Sequence, residues 1–149
     1  MEQEHDSFDN GQRETDWLLA PGGERPEKGF RGLRVWRASM RLADHVYSLT
    51  ENWPRHQQYI ITRQVQRSAL SIPSNIAEGH CSGTDGMYLR RVRDACGSAA
   101  ELETQLLLAG RRSYLSADVL EQTLKTLTGI RKALFGLRSY LQRRIDSTP

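Results

Sequence analysis

Five polar residues, Gln64, Arg67, Ser71, Asn75 and Glu78, recur at spacings of 3, 4, 4 and 3, which lines them along one face of a helix. With Glu101 from the segment "AAELE", they make the densest polar constellation in the chain. Two kinds of chemistry fit. The seam could form a ligand or catalytic site. It could instead form a hydrogen-bonded network between helices or between subunits, in which Arg67 pairs with a carboxylate and fixes register. Breaking such a buried pair costs roughly 3–5 kcal/mol. The network is the preferred reading.

A second set of residues is cationic. Arg34, Arg37 and Arg41 fall at i, i+3 and i+7; Arg90, Arg91 and Arg93 cluster; Arg111 and Arg112 are adjacent; and Lys125, Lys132 and Arg143 share one polar face. Arginine presents a planar fork suited to phosphate. Such contacts position a nucleic acid without reading its sequence. With no aromatic-rich platform evident, base-specific recognition is not expected. Each stripe read singly is a solvated helix face, and the arginine preference also follows from GC-rich coding.

Catalytic constellations are missing. A di-metal site in a helical bundle needs inward carboxylates and Glu-x-x-His pairs, and the sequence offers only Glu2-Gln3-Glu4-His5. His45, His56 and His80 stand apart from one another. Neither a P-loop nor a Gly-x-Gly-x-x-Gly run is present. No catalytic residue, metal or cofactor is expected, and the chain is read as a non-enzyme. Its two cysteines, Cys81 and Cys96, lack metal-ligand spacing and are expected to be reduced. No run approaches the ~18 apolar residues of a membrane span, and the acidic start "MEQEHDSFDN" has no apolar signal core. A cytoplasmic protein without membrane association is expected.

Charge divides the chain in two. Residues 1–29 carry eight acids and three bases, a net −5; residues 30–149 carry 18 bases, 16 of them arginine, against 10 acids, a net +8. The first segment, rich in Gly and Pro ("APGGERPEKG") and without periodicity, is expected to be disordered. Within it Trp17-Leu18-Leu19 is an apolar island that suits docking or packing on its own domain. At −5 the tail is expected to compete with nucleic acid for the basic body.

From residue 30 the pattern is helical. A first helix is expected over 30–51, with Leu33, Trp36, Met40, Ala43 and Tyr47 on one face and Val35, Leu42, Val46 and Leu49 beside it. So wide an apolar arc predicts burial on two sides. Trp53-Pro54 ends it. A second helix starts near Gln57 and runs through Pro73, because Val65, Ala69, Ile72 and Ile76 keep register; Gly79 is its expected C′ residue. A third runs from about 85 to 110 behind a Thr84 cap, with Tyr88, Val92, Ala95, Ala99, Leu102 and Leu106 on its core face. A fourth, capped by Ser116, carries Leu120, Leu127, Ile130, Leu134, Leu137, Leu141 and Ile145 to the C-terminus. Short connections predict an all-α, antiparallel up-down-up-down four-helix bundle over 30–149, with a disordered N-terminal tail over 1–29.

The segments "GLRVWRASMRLADHVYSLTENWP", "QVQRSALSIPSNIAEG" and "ACGSAAELETQLLLAGRRSYLS" resemble a bacterial four-helix-bundle family. It comprises proteins encoded by intervening sequences of ribosomal RNA genes and, more distantly, the accessory variability determinant of diversity-generating retroelements. The resemblance covers residues 30–144 and implies a ring-like homopentamer. For the retroelement members it further implies binding of a reverse transcriptase and its template RNA through a basic surface. The chain looks nearer to the ribosomal-RNA group, which has no settled activity. It departs from the family in its acidic tail and at Gly86-Met87, where a polar residue is common. The function expected is that of a non-enzymatic, oligomeric accessory protein that binds RNA or DNA through basic helix faces and assists a reverse transcriptase. The alternative is a protein-interaction scaffold without nucleic-acid binding.

Overall fold

The computed structural model describes residues 29–148. The acidic segment with Trp17-Leu18-Leu19 and the Glu2–His5 motif lies outside the described residues. Four long helices account for most of the remainder: α1 (Arg34–Thr50), α2 (Arg63–His80), α3 (Asp85–Arg111) and α4 (Ala117–Asp146). Among the described residues there is no strand. A 3₁₀ turn, Gly29–Gly32, precedes α1, so the first helix starts later than its periodicity suggests. A 3₁₀ turn (Arg55–Gln57) and a π-helical turn (Gln58–Thr62) lead into α2.

The helices form the antiparallel bundle. Thr84 and Ser116 cap α3 and α4, their hydroxyls accepting from the amides of Met87 and Val119, each at 3.3 Å. The core is a single cluster, drawn from Leu42 and Val46 of α1, Val65, Ala69, Ile72 and Ile76 of α2, Val92, Ala95, Ala99, Leu102 and Leu106 of α3, and Leu127, Ile130, Leu134 and Leu141 of α4. Packing is densest between α2 and α3 and sparse between α1 and α4, where His45 and Thr123 clasp the pair at 3.2 Å.

α2 does pass through Pro73, which is buried. Its nitrogen cannot donate to the carbonyl four residues back. Around it, side chains take up neighbouring carbonyls: Ser74 Oγ donates to Leu70 O at 2.9 Å, and Asn75 Nδ2 to Ser71 O at 2.9 Å.

One expectation is corrected. Gly79 does not end α2, which continues to His80, and the positive φ of the following turn belongs to Gly83. Gly79 serves close packing instead: a Cβ there would lie 2.6 Å from the Tyr88 ring and 2.9 Å from Arg91 Cβ. On α1 the bundle covers Val35, Leu42 and Val46 of one stripe; on the other, Ala43 is buried and Leu33 and Trp36 pack half-buried against the core, while Met40 (39 %) and Tyr47 (43 %) are exposed. Met40 and Tyr47 thus leave part of that wide apolar arc uncovered within the chain.

Candidate nucleic-acid interface

The polar seam of α2 meets α3 through four of the six expected residues. Ser98 Oγ donates to Asp94 O at 3.1 Å, so in the 2.8 Å contact between Ser71 and Ser98 the Ser71 hydroxyl is the donor. Asn75 Nδ2 in turn donates to Ser71 Oγ at 3.1 Å. The result is a one-directional chain, Asn75 to Ser71 to Ser98 to a backbone carbonyl. Glu78 accepts from Arg91 at 3.1 Å, and Ser68 Oγ donates to Glu101 at 3.4 Å.

Gln64 and Arg67 take no part. Both are exposed on α2. Within the chain the seam's Glu78 is paired with Arg91, reaching across from α3, which also pairs with Asp94 at 3.5 Å. Along this serine relay both hydroxyl protons already have acceptors. The arrangement can hold two helices in register.

The cationic residues separate. Arg34 and Arg37 are half-buried and Arg41 exposed on α1; Arg37 Nε is buried without a hydrogen-bond partner. Arg111 and Arg112 sit at the C-terminal end of α3. The trio on α3 splits because successive helix positions lie about 100° apart: Arg91 faces α2, whereas Arg93 faces α4 and donates to Gln142 at 3.3 Å. Arg90 and Lys125 are exposed.

What the structure gathers is an open trough between α3 and α4. One end is lined by Arg93, Arg138, Ser139, Gln142 and Arg143. The other is lined by Cys96, Thr128, Arg131, Lys132, Phe135 and again Arg138, which joins the two. Five cations line it and no acid does. Glu103 is paired with Arg131. Arg131 and Arg138, one heptad apart, stand about 10.5 Å apart along the helix.

Three trough residues, Arg93, Lys132 and Arg143, were legible as candidates. Arg131, Arg138 and Phe135 were not, because they become trough walls only where α3 lies alongside α4. Cys96 also lines the trough. Burial pushes its thiol up from the ordinary value, against the opposing pull of Arg138 and Arg131. Among the described residues no group of His, Cys, Asp and Glu is placed to hold a metal ion. No described helix is long and apolar enough to cross a membrane.

Residues 31–136, most of the bundle, match the model of the 23S rRNA-intervening sequence proteins. The chain belongs to that family. The trough lies mostly within the matched region, while Arg138, Ser139, Gln142 and Arg143 lie beyond it. No curated protein matches the chain. Among solved structures, the intervening-sequence fold is matched by a protein of unknown function from the S23 ribosomal protein family of Bacteroides thetaiotaomicron VPI-5482. The TM-score is 0.64 at 24 % identity, over 70 % of this chain and 97 % of that one. At that identity the likeness is one of fold.

Proposed function

We propose that this intervening-sequence family member is a non-enzymatic, oligomeric accessory protein that binds nucleic acid through basic helix faces, assembled as a ring-like homopentamer and assisting a reverse transcriptase. The observation that carries the binding reading is the α3/α4 trough, where five cations converge and no acid lines the walls. A concave basic surface concentrates polyanions and speeds their association. Repetition around a ring multiplies the field. Assembly draws support from α1, whose exposed Met40 and Tyr47 leave an apolar strip for another protein surface. The same strip favours the second reading, a protein-interaction scaffold that binds no nucleic acid.

Charge reversal separates the two. Arg138→Glu with Lys132→Glu is expected to weaken binding of a fluorescent structured RNA by about tenfold or more, while leaving the mass by light scattering unchanged. RNA binding undiminished by the reversal takes the trough out of the account. A wild-type protein that assembles yet binds no RNA at low salt is the scaffold. A stable complex with a retroelement reverse transcriptase on co-expression is the expected result for the partner.

A further inference from the structure

We propose that the trough takes single-stranded nucleic acid, with an unstacked base lying on the ring of Phe135 while the surrounding cations hold the adjoining phosphates. This rests on the nucleic-acid reading above and names the form of the ligand.

Phe135 is 59 % exposed, among the most exposed large apolar side chains described. It stands in the middle of a cationic surface. Its helix-surface neighbours at i−4, i−3, i+3 and i+4 are Arg131, Lys132, Arg138 and Ser139, all of which line the trough. The Arg138 guanidinium lies 4.6 Å from the ring centroid, within cation–π range. The ring is thus held on one flank by a charge and presented to solvent elsewhere.

A ring so placed has little to offer a duplex, whose bases are stacked within and whose phosphates meet the cations alone. A single strand can lay a base face on it, and every base has such a face. The phenyl carries no donor or acceptor, so stacking there tolerates any sequence. Tyr140, also exposed, does not duplicate the role. Five residues on, it points about 140° around the helix, is absent from the trough walls, and accepts a hydrogen bond from Arg144 at 3.2 Å.

The test compares a labelled 12-nucleotide oligouridylate with a labelled RNA duplex of the same length, by anisotropy, for wild type, Phe135→Ala and Phe135→Tyr. Loss of a stacked base weakens binding by about 5- to 150-fold, so Phe135→Ala is expected to lose that much for the single strand. Its duplex binding should stay within about twofold of wild type, stacking being absent there. Phe135→Tyr should retain single-strand affinity. Equal losses for both probes, or no loss for either, overturn the proposal. So does a change of assembly mass in Phe135→Ala, which would place the ring between copies of the chain. Binding of the duplex alone would overturn it and leave the nucleic-acid reading standing. Failure of wild type to bind either probe at low salt would overturn both.

Discussion

Ser71 on α2 and Ser98 on α3 meet at 2.8 Å, with the Ser71 proton directed into Ser98 because Ser98 spends its own on Asp94 O. Ser98 is buried. Ser98→Ala removes the acceptor and is expected to cost about 1 kcal/mol, read as a lower urea midpoint with unchanged slope. Glu78→Ala breaks an ion pair whose side chains are both about half exposed and should cost at most about 1 kcal/mol. A larger loss at Glu78 than at Ser98 would mean that charge, and not the hydroxyl chain, fixes the register of α2 and α3.

Two glycines should respond with opposite signs. Gly79→Ala drives a methyl into the Tyr88 ring and Arg91 Cβ, an overpacking expected to cost about 1–3 kcal/mol. Gly97, within α3, has open space around it, and Gly97→Ala should stabilise by about 0.5–1 kcal/mol. Thermal melts of the two variants check the pair.

Tyr88 gives a pH signature. Burial pushes its phenol up to about 12 from 10.0, and its hydroxyl is buried without a partner. Below pH 10 folded and unfolded chains both keep the proton. Between about 10 and 12 only the folded chain keeps it, so this contribution to stability falls as pH rises. Tyr88→Phe should remove that alkaline fall. At neutral pH it should raise stability by about 1 kcal/mol, since an unsatisfied buried hydroxyl is lost.

The two cysteines should label differently. Cys81 is exposed, whereas Cys96 is half-buried with its thiol pushed up. A maleimide at neutral pH is expected to modify Cys81 first, the Cys96 rate climbing with pH into the alkaline range. Saturating RNA should protect Cys96, which lines the trough, and leave Cys81 reactive. Protection of Cys81 alone would put the RNA at the α2–α3 turn.

The bundle was legible because α3 and α4 carry long 3-4 seams, and residues such as Leu102, Leu106, Leu127 and Leu134 are where those seams put them. α1 was harder. Its two stripes are equally apolar, and periodicity does not say which faces inward. A helical repeat also cannot reveal what comes across from a neighbour, and the Arg91 guanidinium that meets Glu78 comes from α3. The trough was half legible for a related reason. Lys132 and Arg143 crown α4, but Arg131 and Arg138 become groove walls only once α3 lies alongside. Gly79 looked like a helix stop because its chemistry allows positive φ, whereas contact with Tyr88 is what needs it.

The central claim is that the trough is a polyanion site, and the salt dependence of RNA binding tests it most directly. Each single-strand phosphate contact contributes about 0.7 to the slope of log affinity against log salt. Wild type should bind at low salt with a linear dependence, and Arg138→Glu with Lys132→Glu should flatten its slope by about 1.4. An affinity indifferent to salt, or a slope unchanged by the double reversal, would contradict the account.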